Sequence, residues 1–265
     1  NLDQYSDIKR GNFAGRNIKF GIREHAMAAA AGGIMLHGGL RPVTATYLTF
    51  SDYMRPSLRM ASMMGLPVIY VFSHDSIHVG QDGPTHQPVE QLESLRMIPG
   101  LRVIRPSTAA EVKLAWKSAI EEKKRPVALV MARQAVKTYA KEITAVEFEK
   151  GAFVVAEEAE AEIAVMAAGS EVETALKVKE LFKGKYKVRV ISVPEKEKLY
   201  HNQEYLEQLF EGIKFTAAIE AGNPTGWYRV LRGNSVVFGV EDFGFSAAGD
   251  KIAEEFGLTA EKIAK

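Results

Sequence analysis

Short runs of β-branched and aromatic residues alternate with longer stretches whose apolar positions recur every three or four residues, almost from one end of the chain to the other. The pattern predicts strands at 17–20, 43–47, 68–72, 101–104 and 127–131, separated by helices at 24–36, 51–64, 89–97 and 109–122. Punctuation agrees with it: the first helix stops at Gly38-Gly39, the second at Gly65 and the third before Pro99, while Ser107-Thr108 are good caps for the fourth. Strands alternating with helices in this way build a parallel sheet with helices on both faces. From 134 to 150 the periodicity lapses into polar sequence, which reads as a linker. A second series follows, with strands at 153–156, 163–167, 188–193, 216–219 and 236–240 and helices at 171–182, 205–210 and 247–256. The expected fold class is α/β, with two doubly wound domains of which the second is smaller and has blander loops, as a packing or assembly domain would.

Composition narrows the function. With 46% hydrophobic and 25% charged residues in 265, the chain has the make-up of an ordinary soluble globular protein. A net charge of +1 and the lack of a basic stripe with interleaved aromatics argue against a nucleic-acid partner. Without cysteine there is no disulfide, thiol nucleophile or thiolate metal site, which fits a reducing compartment. No apolar run approaches the ~20 residues of a membrane span, and Asn1-Leu2-Asp3-Gln4-Tyr5 is no secretory signal, so no membrane association and a cytoplasmic location are expected. Because residue 1 is Asn, the chain is expected to be a processed or excised product.

The chemistry concentrates after the third predicted strand. Residues 74–88, His74-Asp75-Ser76-Ile77-His78-Val79-Gly80-Gln81-Asp82-Gly83-Pro84-Thr85-His86-Gln87-Pro88, hold three histidines and two aspartates directly behind the apolar run 66–72. A strand ending in such a loop delivers its side chains to the carboxyl edge of a sheet, where open α/β folds bind ligands. Imidazoles there can bind hydroxyls and phosphate or move protons near neutral pH. Zinc held by His74, His78 and His86 with Asp75 or Asp82 is the competing reading, disfavoured because the spacing is not that of a helical HExxH pair. Glu24 opens the alanine-rich helix just after the first predicted strand; it is either a first-turn glutamate favoured by the helix dipole or a carboxyl facing a ligand. Tyr47, Phe50 and Tyr53 recur every three residues across the next strand-to-helix junction, as core or as a surface for a flat heteroaromatic ring that Glu24 could hydrogen-bond. Arg133, closing the strand at 127–131, offers a fork for phosphate or carboxylate. Gly169-Ser170-Glu171 resembles a phosphate cradle only superficially; Ser170 and Glu173 have capping-box spacing. The turn-rich loop from Glu220 to Tyr228 suggests no chemistry.

Taken together, Asp82-Gly83-Pro84-Thr85-His86-Gln87-Pro88, the Arg23-Glu24 pair, the Tyr47/Phe50/Tyr53 series and Ala132-Arg133-Gln134 resemble, in order and spacing, the transketolase family. The second half resembles it through Ala168-Gly169-Ser170-Glu171-Val172, Val190-Ile191-Ser192-Val193-Pro194 and Phe243-Gly244-Phe245-Ser246-Ala247. His78 and Gln81 depart from it, where a small and an acidic residue are more usual. The resemblance implies a pyrimidine-binding domain at 1–135, a linker at 136–150 and a transketolase C-terminal domain at 151–265. It implies transfer of a two-carbon ketol unit between sugar phosphates, with thiamine diphosphate as cofactor and a divalent metal, Mg or Ca. Carried onto matching positions, Glu24 would bond the aminopyrimidine nitrogen and drive the cofactor's activating tautomer, and Tyr47, Phe50 and Tyr53 would stack around that ring. His74 and Arg133 would hold sugar phosphate, and Asp82 and His86 would contact donor hydroxyls, with Glu24 and His86 as the catalytic groups.

The family's metal and diphosphate site, a Gly-Asp-Gly followed some distance later by Asn on an amino-terminal domain, has no counterpart here, since no Gly-Asp-Gly occurs in the sequence. The resemblance therefore implies no metal ligands on this chain, a diphosphate-binding domain as partner, a symmetric homodimer, and no activity for the chain alone. Two alternatives stand beside it: a non-catalytic dimerisation or regulatory module of transketolase descent, and part of a related thiamine enzyme such as deoxyxylulose-phosphate synthase.

Overall fold

The computed structural model describes residues 5–265; the expectation resting on Asn1 and the first four residues of the amino-terminal domain lie outside the described residues. Two sheets carry the chain, as the alternation predicts. The first contains β1 (Val43–Tyr47), β2 (Ile69–Ser73), β3 (Arg102–Ile104) and β4 (Val127–Val130), all parallel, in the order β1-β2-β4-β3. Strands β3 and β4 are buried at every position, which is why they read as unbroken apolar runs: helices cover both faces of a parallel sheet. Around it lie α1 (Glu24–His37), α2 (Ser51–Met63), α3 (Gln91–Arg96) and α4 (Ala109–Glu121). Helix α4 starts where the sequence says it should, with the Thr108 hydroxyl accepting from the Glu111 N–H at 3.4 Å, and α1 ends at Gly38, whose φ of 83° suits glycine.

The second sheet is mixed, in the order β5-β7-β6-β8-β9, from β5 (Phe153–Glu157), β6 (Ile163–Ala167), β7 (Val188–Ser192), β8 (Phe215–Ile219) and β9 (Asn234–Phe238). Only β5 runs antiparallel, at the edge, with a bulge between Val154 and Ala156. Helices α6 (Glu171–Leu181), α7 (Gln203–Leu209), α8 (Gly249–Glu255) and α9 (Ala260–Ile263) flank it. The apolar interiors are continuous: Ile104, Leu129 and Val127 of the first sheet share one cluster with Phe153, Val165 and Ile219 of the second. Among the described residues no helix is long and apolar enough to cross a membrane.

Four local expectations fail. Residues 17–20 form no strand; the bridge of Asn17 to Asp7 is isolated, and Ile18 is exposed rather than seated on a sheet. The polar stretch 134–150 contains α5 (Ala145–Glu149), started by a capping box between Thr144 and Glu147. That stretch is also fastened down, since the Tyr139 hydroxyl donates to Glu111 and the Lys141 ammonium to the Val154 carbonyl at 2.7 Å. Ser170 forms no capping box with Glu173; its hydroxyl turns to Glu171 instead, at 2.6 Å. Finally, β9 starts two residues before the predicted 236.

Candidate active site

Strands β1, β2 and β4 end side by side, and the segments that leave them carry the candidate residues. Tyr47 is the last residue of β1 and pairs in register with Ser73, the last of β2. An extended continuation would send the next side chain, His74, to the opposite face. Its φ of 60° breaks the alternation, and the imidazole lies flat on the Tyr47 ring, 3.6 Å between centroids and 17° between planes. Among the described residues only Glu160 shares a positive φ without being glycine. Such a conformation costs of order 1–3 kcal/mol and persists where the surroundings enforce it.

The aromatic series is one surface. Phe50, ending the short 3-10 helix Leu48–Phe50, stacks parallel to Tyr47 at 6.0 Å, and Tyr53 in the first turn of α2 follows at 6.2 Å from Phe50. His86 closes the group edge-on, 5.3 Å from Phe50 and 6.5 Å from Tyr47. The Thr85 hydroxyl lies 2.9 Å from His86 Nδ1, and Thr49 donates to the His86 carbonyl at 3.2 Å. Tyr53 remains two-thirds exposed, so the rings form an open shelf rather than core.

His74 reports the charges around it. Burial and the Arg133 guanidinium push its pKa below the ordinary value, against the pull of Asp82 and Asp75, with His86 adding to the depression. Arg133 and Asp82, both exposed, are thereby within electrostatic reach of the same imidazole. Strand β4 ends at Val130 rather than 131, and Arg133 lies three residues beyond it. Asp75, in contrast, faces inward, held by Arg105, and is unavailable as an open ligand. Among the described residues no group of three or more His, Asp or Glu converges to hold a metal, which leaves the zinc reading of the histidine loop without a donor set.

Glu24 is the first residue of α1, half-buried, and among the described residues its carboxyl makes no hydrogen bond or ion pair. Its helix comes to the aromatic shelf through α2: the Ser57 hydroxyl, one turn beyond Tyr53, lies 3.3 Å from His25 Nδ1. A carboxyl without a partner among the described residues, on a helix packed against the one that carries Tyr53, has the chemistry to receive an N–H-bearing heteroaromatic ring.

Beneath this loop lies a charge network that no local sequence pattern marks. Arg105, fully buried, donates to Asp75 at 2.8–2.9 Å, to the Ala168 carbonyl at 3.2 Å, to Glu220 at 2.5 Å and to Glu171. Burial disfavours its charge, but Asp75, Glu171 and Glu220 outweigh this and hold its pKa well above the usual value. Glu220 also accepts from Trp227 Nε1 at 3.0 Å and from Arg96 at 3.3 Å. The loop that carries Glu220, to which the sequence assigned no role, and the Gly169 turn, whose φ of 58° leaves room where a Cβ would stand 2.8 Å from the guanidinium, therefore belong to a buried charge network joining the two sheets. A second clasp pairs Arg102 with Glu195 at 2.7 and 2.8 Å. Single charged residues scattered over more than a hundred positions leave no local pattern, so nothing in the sequence marks them.

Comparison with known proteins matches this arrangement on both sides. The family model described as transketolase, pyrimidine binding domain, covers residues 3–138, and that described as transketolase-like TK C-terminal domain covers 151–259. The transketolase of Aquifex aeolicus is 43% identical over 270 residues, spanning 99% of this chain and 39% of the relative. Transketolase from Leishmania mexicana superposes with a TM-score of 0.92 at 34% identity, over 98% of this chain and 38% of the other. The Pichia stipitis transketolase in complex with sedoheptulose-7-phosphate does so at 0.92 and 30%, over 100% and 40%. The chain thus spans about two-fifths of the length of the relatives it matches.

Proposed function

This chain belongs to the transketolase family, and on that premise we propose that it supplies the pyrimidine-binding half of a thiamine diphosphate site and most of the donor-sugar site of a ketol-transferring enzyme. The observation that carries the reading is the Glu24 carboxyl, unpartnered among the described residues, at the head of a helix packed against α2, which carries Tyr53 of the aromatic shelf. These residues fit an aminopyrimidine: rings to stack on its face, a carboxyl for its ring nitrogen. They offer nothing for a diphosphate and its Mg or Ca, for which the reading calls on a separate diphosphate-binding region.

Thiamine diphosphate, when bound, supplies the electron sink that lets a carbon–carbon bond beside a carbonyl break and re-form. The chain's own residues do the rest. Glu24 would hydrogen-bond the pyrimidine nitrogen through its carboxyl. Tyr47, Phe50 and Tyr53 fix the ring plane and exclude water from it. His74 and Arg133 hold the phosphate of the sugar, and Asp82 and His86 orient the donor hydroxyls, His86 being placed by Thr49 and Thr85 to pass a proton. Positioned proton transfer of this kind contributes about 10²- to 10⁴-fold. A symmetric homodimer and a cytoplasmic location complete the reading.

The test is reconstitution. Calorimetry of the chain with thiamine diphosphate and magnesium is expected to give no tight binding, and addition of a transketolase diphosphate-binding domain is expected to give both binding and ketol transfer from a ketose phosphate. Tight binding or turnover by the chain alone would refute the split of the cofactor site, and failure of the mixture would refute the catalytic role.

A further inference from the structure

We infer that the second domain positions the histidine loop for the sugar substrate, with Gln87 and the Gly244 turn as the positioning contact; this rests on the reading of His74, Asp82 and His86 as the donor site.

The loop is seated by buried Ile77, but its candidate side chains are lightly held within the first domain. Among the described residues His74 meets its neighbour Ser73 at 2.9 Å and the Tyr47 ring, and His86 meets Thr85, Thr49 and the Phe50 and Tyr47 rings. Asp82 is exposed. Both ends of the loop also lead to the second domain, the first through Arg105 of the first domain and the second directly. At the start, Asp75 is bound by Arg105, itself held by Ala168, Glu171 and Glu220. At the end, buried Gln87 donates through one amide nitrogen to the Gly80 carbonyl at 2.7 Å and to the Phe245 carbonyl at 3.0 Å. That nitrogen couples the middle of the loop to the opposite domain.

Between these ties the surfaces interlock at glycines. A Cβ at Gly83 would stand 2.6 Å from Ser246 Oγ, one at Gly80 3.3 Å from the Ala247 carbonyl, and one at Gly249 3.1 Å from His78 Cα. At Gly244 a Cβ would stand 1.9 Å from Gln87 Oε1, so that position accepts no side chain while Gln87 stays in place. Asp82 follows the Gly80 contact by two residues and His86 immediately precedes Gln87, so a shift at either contact moves a donor-site side chain. Displacements of about 1 Å at a reacting centre can lower rates by about 10².

Gln87→Ala and Gly244→Ala break the same contact from opposite domains, and Gly244 has no left-handed φ to make alanine strained. In the 265-residue chain, amide hydrogen exchange across 76–87 is expected to quicken about tenfold in either variant while β2 and β4 keep their protection. In the assembly with a diphosphate-binding domain, kcat/KM for a ketose-phosphate donor is expected to fall by about 10-fold or more, and the double variant to match either single one rather than their product. Unchanged loop exchange in both variants, or multiplicative effects in the double one, overturns the positioning role. An inactive wild-type assembly strikes the catalytic reading instead, and the exchange result still decides the contact.

Discussion

Tyr47 and His74 lie ring on ring at 3.6 Å, joined across neighbouring strand ends by a left-handed residue. The stacking places the imidazole where Arg133 and Asp82 both act on it, with opposite signs. Arg133→Ala is therefore expected to raise the His74 pKa toward its ordinary value, and Asp82→Asn to lower it further. An NMR titration of the imidazole resonances reads both, and shifts of the same sign would mean that the three groups do not converge.

Glu24 has no protein partner among the described residues, so its replacement should leave the fold alone. Glu24→Gln is expected to keep the urea midpoint within the equivalent of about 0.5 kcal/mol while turnover of the reconstituted assembly falls about 10²- to 10⁴-fold. Retention of most activity would remove the proton-sharing role.

Arg105 is the buried cation shared by Asp75, Glu171 and Glu220. Arg105→Ala leaves Asp75 and Glu171 without a cation, while Glu220 keeps Arg96 and Lys196, and is expected to cost about 3–5 kcal/mol in chemical denaturation. A loss below ~1 kcal/mol would show that the network does not hold the sheets together.

Glu111 is wholly buried, and burial raises its pKa although Tyr139, Ser107 and Ser192 all donate to it. For an acid whose folded pKa exceeds the unfolded one, stability is fully present below the unfolded value, near 4.5, and is lost as pH rises through the folded value. Glu111→Gln removes that titration. The difference in unfolding free energy between variant and wild type is expected to move in favour of the variant as pH climbs above 4.5, and a pH-independent difference would contradict it.

Legibility in the sequence followed locality. The bounds of β1 and β6 agree with the apolar pattern because each is a short strand bracketed by turn or polar residues. The shelf and the histidine loop were legible because their residues sit close together in sequence and at strand ends. The strand expected at 17–20 shows the opposite limit: an alternating pattern makes a strand only when a neighbour supplies the ladder, and the bridge of Asn17 to Asp7 does not extend into one. Two capping-box spacings look alike in sequence, yet only Thr144–Glu147 forms one, since Glu171 draws the Ser170 hydroxyl away. Arg105 and Glu220, 115 positions apart, were invisible because their meaning exists only once the domains have met.

Anchoring at Asp75 and Gln87 also fixes the number of residues between them. An inserted or deleted residue would pull one anchor from its socket or drive the glycines at 80 and 83 into the facing turn. Side chains at exposed places such as Gln81 are therefore free to change, and the span of the loop is not.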